Sequence, residues 1–265
     1  PEKIFNIGTK QDWYLNLVNL NKETNKTADI KNSRAQGFAA LIYNLSYPLK
    51  KNSEKYANLL SPKISFRFSP NKTKNLINED RRLDLNNIFS LNRLSLFDTI
   101  ETGESASLGL TYKLNDRLNS DISLETGLAQ VFRMNENDDL PINSTIGDKS
   151  SNIFGNLNFK YKSLIDFKSN YSFNKDFRES NYNYYDLKFN VNNFITEFIY
   201  LDNDISVAEQ GYFDSSIKYN FNSNNSLSYS RRENTKTDLI EYNNIIYEYK
   251  IDCLTAGIEY KKKYY

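Results

Sequence analysis

An apolar residue at every second position, repeated in segment after segment, leaves this chain few architectures to choose from. Leu108, Leu110, Tyr112 and Leu114 alternate with Gly109, Thr111 and Lys113. Tyr185, Leu187, Phe189 and Val191 alternate with Asp186, Lys188 and Asn190. Tyr247, Tyr249 and Ile251 enclose Glu248 and Lys250. A helix needs apolar residues three and four apart, and these stretches lack them. Each reads as a strand with one greasy face and one charged face. Alternation alone does not separate a soluble sandwich from a membrane barrel. Length helps: many of the segments run about 9–12 residues, the span of a tilted transmembrane strand, against ~5–6 in sandwiches.

Run-and-turn reading predicts about thirteen strands. They lie near 12–20, 35–47, 56–68, 104–114, 119–132, 152–162, 164–174, 181–191, 194–202, 211–222, 225–233, 238–250 and 253–263. Short turns at 115–117 and 222–225 contrast with longer loops at 21–34, 70–103 and 133–151. Short turns on one side and long loops on the other is the outer-membrane arrangement. Pro48, Pro62 and Pro70 are expected at strand ends or edges, because proline gives the ladder no donor. The expected fold is therefore all-β, an antiparallel transmembrane barrel. An odd count does not close an up-and-down sheet neatly, so part of a larger barrel is expected.

Composition agrees and removes other classes. Apolar residues make up only 39% of the chain, yet aromatics reach 14%. A disordered chain is poor in aromatics; a wet-centred barrel with a greasy outer band is not. The 34 basic and 33 acidic residues leave a net charge of +1, so no nucleic-acid partner is indicated. Histidine is absent, which excludes Ser-His-Asp and Cys-His hydrolases and most zinc enzymes. No Gly-rich phosphate loop occurs; no cofactor, no metal and no enzymatic activity are expected. Cys253 is the single cysteine, so no disulfide forms within the chain. The start, Pro1-Glu2-Lys3-Ile4, does not read as a signal peptide.

One segment breaks the rhythm. Ile77-Asn78-Glu79-Asp80 is followed by Asn86-Asn87-Ile88-Phe89-Ser90-Leu91-Asn92-Arg93-Leu94-Ser95-Leu96-Phe97-Asp98-Thr99-Ile100-Glu101-Thr102-Gly103, and then by the alternating strand from Ser105. This stretch resembles the central motif of the LptD (organic solvent tolerance) family, an Asn-Glu-Asp followed by an Asn-Leu-Phe…Asn-Arg-Phe-Ser-Gly…Asp…Glu…Gly pattern. Tyr47-Pro48-Leu49, Leu60-Ser61-Pro62-Lys63 and Phe68-Ser69-Pro70-Asn71 resemble its preceding strands, and Tyr249-Lys250-Ile251-Asp252-Cys253 its final segment. Two departures stand out: Leu96 occupies the usual Gly position, and Cys253 is followed by Leu254 instead of a second Cys.

The resemblance implies that residues 1–265 are the C-terminal part of a barrel of about 26 strands, with a periplasmic jellyroll and the first strands elsewhere. It implies insertion of lipopolysaccharide (LPS) into the outer leaflet of a Gram-negative outer membrane. The partners it implies are an LptE-type lipoprotein plug, periplasmic LPS bridge proteins reached through the N-terminal domain, LPS itself and outer-membrane lipid. A lateral gate would use the last strand, with Leu254, Ala256, Ile258 and Tyr260 on it. Cys253 would pair with a cysteine of the N-terminal part; the competing reading is an inert free thiol. Asp80, Asn87, Phe89, Asn92, Arg93, Asp98, Glu101 and Gly103 would form a lumen loop that meets the lipoprotein or the substrate, or else one that stabilises the barrel interior. Arg231-Arg232 and the Lys261-Lys262-Lys263-Tyr264-Tyr265 tail could meet anionic groups or stay solvated. The competing functions are a passive porin, which needs no long central motif, and a soluble all-β adhesin module.

Overall fold

The computed structural model describes residues 4–5, 8–20, 34–70, 74–95, 99–204 and 210–264, with side chains from residue 39 onward. Fifteen strands form one antiparallel sheet: β1 (Ile4–Phe5), β2 (Gly8–Leu20), β3 (Arg34–Ser46), β4 (Leu49–Asn52), β5 (Tyr56–Ser69), β6 (Gly103–Asp116), β7 (Ile122–Arg133), β8 (Ile153–Tyr161), β9 (Ile165–Phe173), β10 (Ser180–Val191), β11 (Phe194–Asn203), β12 (Gln210–Asn220), β13 (Asn225–Asn234), β14 (Leu239–Ile251) and β15 (Leu254–Lys263). From β5 onward each strand pairs with the next in sequence, and the sheet is not closed.

The register reduces fifteen strands to the thirteen read from the sequence. Gly8 faces Ser46 and Phe5 faces Leu49 in one unbroken register, so β1 and β2 are two parts of one strand. Ser46 faces Lys63 and Leu49 faces Leu60, so β3 and β4 likewise form one strand, interrupted at Tyr47-Pro48. Pro48 thus sits at a break, and Pro70 lies just past β5. Pro62 corrects the expectation. It lies inside β5, which is paired on both sides, facing Tyr47 and Leu110. Its carbonyl still accepts the Tyr47 N–H at 3.0 Å; the donor it lacks falls opposite the Pro48 break, where the ladder is already interrupted.

The two longest connections share one end of the sheet. Turns 53–55, 117–121, 162–164, 192–193, 221–224 and 252–253 lie at one end of the sheet; 70–102 and 134–152 lie at the other. The expected loop 21–34 falls almost wholly outside the described residues. The two faces differ sharply. One carries Phe66, Leu110, Leu128, Ile217, Tyr229 and Ile245, all exposed. The opposite face of β5–β7 carries Ser65, Arg67, Ser105, Ser107, Ala129 and Val131, all buried. What buries them is the long loop. Leu76, Leu83, Ile88 and Leu94 pack with Ala129, Val131 and Phe154 from the wall and with Leu140 and Ile146 from loop 134–152. This is an inverted layout: the core lies between the wall's polar face and its own loops, while the apolar face is open. Among the described residues the single helical element is a 3-10 turn at Ile142–Ser144, and no helix there is long and apolar enough to cross a membrane.

Candidate functional site

The described part of the long loop, residues 74–95 and 99–102, begins with side chains capping backbone. The Asp84 carboxylate accepts the N–H groups of Asn86 (2.7 Å) and Asn87 (3.0 Å), and the Asn87 side chain accepts the Asp84 N–H at 2.9 Å. Asn87 also donates to the Arg82 carbonyl at 2.9 Å. Short polar side chains that bond their own backbone favour a tight turn over a strand or long helix. The Ile88 N–H closes the turn on the Asp84 carbonyl at 3.0 Å. This aims Leu85, Ile88 and Phe89 at the wall.

The wall is cut away where they land. A Cβ at Gly109 would sit 2.5 Å from Phe89 Cζ, and one at Gly127 would sit 2.9 Å from Leu85 Cδ1. Glycine here serves close approach of backbone to the loop. The Lys63 ammonium lies 5.7 Å from the centre of the Phe89 ring. Asp80 accepts the Asn143 side-chain amide, which ties the first loop to the second. Asn92 accepts the Ser95 N–H at 3.3 Å through its carbonyl. Asp98 lies outside the described residues.

The far end of the loop is held by one carboxylate among three guanidiniums. Arg93 forks onto Glu101, Nε to Oε2 at 3.0 Å and Nη2 to Oε1 at 3.1 Å. Its remaining N–H groups reach Ser107 Oγ at 3.0 Å and Ser105 Oγ at 2.5 Å on β6. Arg133, ending β7, donates to Glu101 Oε1 at 2.6 Å and to the Thr102 carbonyl. Arg67 on β5 donates to the Glu101 carbonyl at 2.6 Å and the Leu91 carbonyl at 3.1 Å, with Nη1 3.8 Å from the carboxylate. All four side chains are buried. Burial pulls Arg93 down to about 10 even with Glu101 against it, so it stays charged at neutral pH. Burial also pushes the Glu101 carboxyl up, but Arg93, then Arg67 and Arg133, outweigh it and hold it below its ordinary value. Gly103 follows at φ +89°, and a Cβ there would lie 2.7 Å from Arg133 Nη2, so only glycine lets the chain turn into β6.

The structure therefore gathers Arg93, Glu101 and Gly103 into one centre and seats Asp80, Asn87 and Phe89 along the same loop. Sequence reading missed Arg67, Arg133, Ser105, Ser107 and Asn143. Arg67 and Arg133 occupy polar positions of alternating strands and look like ordinary wet-face cations. The loop does not fill the face: a cavity of about 190 Å³ remains beside Arg82, Asn143, Tyr171 and Tyr182, and another of about 570 Å³ between Asn44, Lys63 and Phe89. Among the described residues no cluster of ligating side chains could hold a metal. Cys253 lies exposed in the two-residue turn between β14 and β15. Leu254, Ala256, Ile258 and Tyr260 stand in the same rows as Ile251, Tyr249, Tyr247 and Ile245, on the apolar face of the edge strand.

A family model described as LptD, LPS transport system D, matches residues 5–225. The chain belongs to the LptD family. No curated protein matches it. Membership assigns it to outer-membrane LPS transport, in a family of transport components and not of known enzymes. The LptD match contains the whole loop, its four-residue charged centre and the strands from the second residue of β1 to the first residue of β13; β14, β15 and Cys253 follow it.

Proposed function

We propose that this chain forms a wall of the LptD translocon that delivers LPS into the outer leaflet, with loop 74–102 seated in the lumen and a lateral exit beside β15. The observation that carries this is the inverted layout: an exposed apolar face backed by a polar face onto which a long loop is locked by Arg67, Arg93, Arg133 and Glu101. The apolar face suits lipid and the opposite one a wet lumen. The short-turn end then faces the periplasm, and Cys253 lies at that end, where a cysteine of the N-terminal domain could reach it. An LptE-type lipoprotein would occupy lumen space beside the loop, and bridge proteins would dock on the N-terminal domain. Among the described residues β15 pairs with β14, and a lateral exit there would require a first strand that pairs with β15 and opens from it.

The test is co-purification of the complete tagged gene product from outer membranes. An LptE-like lipoprotein and bound LPS are expected with it. A barrel that arrives alone and conducts ions in a planar bilayer would replace this reading with a passive pore.

A further inference from the structure

Two basic motifs about thirty residues apart in sequence fall into line across the last three strands. Arg231 faces Asn243, and Asn243 faces Lys262. Strand spacing puts the Cα atoms of Arg231 and Lys262 about 10 Å apart, close enough for two long side chains to grip one anion. The row lies on the apolar face. Tyr229 donates to Asn243 Oδ1 at 2.9 Å, and Asn243 Nδ2 donates to the Tyr264 hydroxyl at 3.1 Å. The Lys262 ammonium stands 4.7 Å from the centre of the Tyr264 ring. Arg231 spends Nη2 on Glu233 at 2.7 Å, on the exposed surface, and keeps the rest of its fork.

The next two rows on the same face are wholly apolar. Tyr229, Ile245 and Tyr260 form one; Leu227, Tyr247 and Ile258 form the other. All six are exposed. A cationic row capping two apolar rows is the footprint of an amphiphile with an anionic head and hydrocarbon chains. The row lies at the long-loop end of the sheet, on the edge strand and its two neighbours.

We infer that the outward strip of β13–β15 holds a phosphate-bearing lipid, with its phosphate between Arg231 and Lys262 and its acyl chains along Tyr229, Ile245, Tyr260, Leu227, Tyr247 and Ile258. Charge complementarity selects the head: Arg offers a planar fork and Lys a point charge, the pair suited to phosphate oxygens. The neighbouring lysines Lys261 and Lys263 belong to the other face, where Lys261 stands 4.7 Å from the Tyr242 ring and Lys263 faces Tyr242. The inference rests on the reading above in one respect, the orientation that puts the long-loop end in the outer leaflet.

The experiment is equilibrium binding of bisphosphorylated lipid A and of dephosphorylated lipid A to the complete gene product in detergent. The unaltered protein should prefer the phosphorylated probe, and the preference should fall as salt rises. R231Q/K262Q should weaken binding of the phosphorylated probe about tenfold, as expected for losing charge-assisted contacts, while K261Q/K263Q changes it less than twofold. R231K/K262R, which keeps both charges, should retain most of the preference. Absence of any preference in the unaltered protein overturns the inference without needing a variant. An equal loss in K261Q/K263Q also overturns it. If LPS fails to co-purify while the phosphate preference persists, the transport reading falls and the lipid strip stands.

Discussion

Arg133 Nη1 donates to Glu101 Oε1 at 2.6 Å, and with that contact the last residue of β7 fastens the end of the long loop. The same carboxylate receives Arg93, and the Glu101 carbonyl receives Arg67. One side chain thus neutralises part of a buried cationic group drawn from β5, β7 and the loop itself. Glu101→Gln is expected to destabilise the folded barrel by roughly 3–5 kcal/mol, because it leaves buried guanidiniums uncompensated. Denaturant unfolding of the complete protein in detergent, followed by heat-modifiable gel mobility, measures it. A loss under 1 kcal/mol would show that the centre contributes little.

The same group sets an acid limit. Glu101 has its pKa lowered in the fold. A carboxyl lowered on folding gives stability that is complete above its unfolded value and is lost as pH falls through the folded value. The unaltered protein is therefore expected to lose stability below about pH 4.3, and Glu101→Gln to show a flatter acid limb. Melting temperatures measured from pH 3 to 7 test this; parallel curves for the two proteins would refute it.

Gly103 is the hinge at which the loop enters β6. Gly103→Ala forces a side chain into φ +89° and against Arg133. A cost of about 1–3 kcal/mol is expected, with faster protease cleavage within 74–102. Gly257→Ala is the comparison, since a Cβ there meets nothing nearer than 3.4 Å.

The two faces should answer charge differently. Leu110→Arg, on the exposed apolar face, is expected to cost about 2–4 kcal/mol in a bilayer if it lies near the midplane. Lys113→Glu, on the other face beside Glu125, should cost well under that, since the pair it breaks is exposed. Refolding yield into lipid vesicles reads both.

Cys253 is expected to be oxidised in the complete protein. A mobility difference between reducing and non-reducing gels that vanishes in Cys253→Ser would establish the bridge. Quantitative maleimide labelling without reductant would show a free thiol instead.

Most of the wall was legible because alternation is a local signal. Each of the thirteen segments overlaps a strand or merged strand, since positions on the two faces alternate along most of each strand, with register shifts at Ser180/Tyr182 and Arg232/Glu233. The stretch from Asp80 to Gly103 was legible as a break in the alternation, with Asp80, Arg93, Asp98 and Glu101 as its candidate charged members. What seats the loop was not. Arg67 lies between Phe66 and Phe68 and reads as a polar position like any other; only the register brings it beside Glu101. The packing of Leu140 and Ile146 onto the loop joins segments far apart in sequence, and no periodicity announces it. Pro62 misled for a related reason: its tolerance depends on Pro48 in the neighbouring strand, a relation that exists only once the two are paired.

The contacts that seat the loop have a consequence for how the barrel is built. Arg93 reaches Glu101 within the loop and Ser105 and Ser107 on the strand that directly follows it, all within fourteen residues of chain. Contacts so close in sequence carry little closure entropy and can form early. Only Arg67 from the strand before and Arg133 from the strand after are needed to complete the centre. The charged centre therefore needs only β5, β6 and β7, and the loop's apolar side is then covered by Leu140, Ile146 and Phe154 as the next connection and β8 are added. The filling does not have to be threaded into a finished cylinder; it travels with the wall as the wall is made.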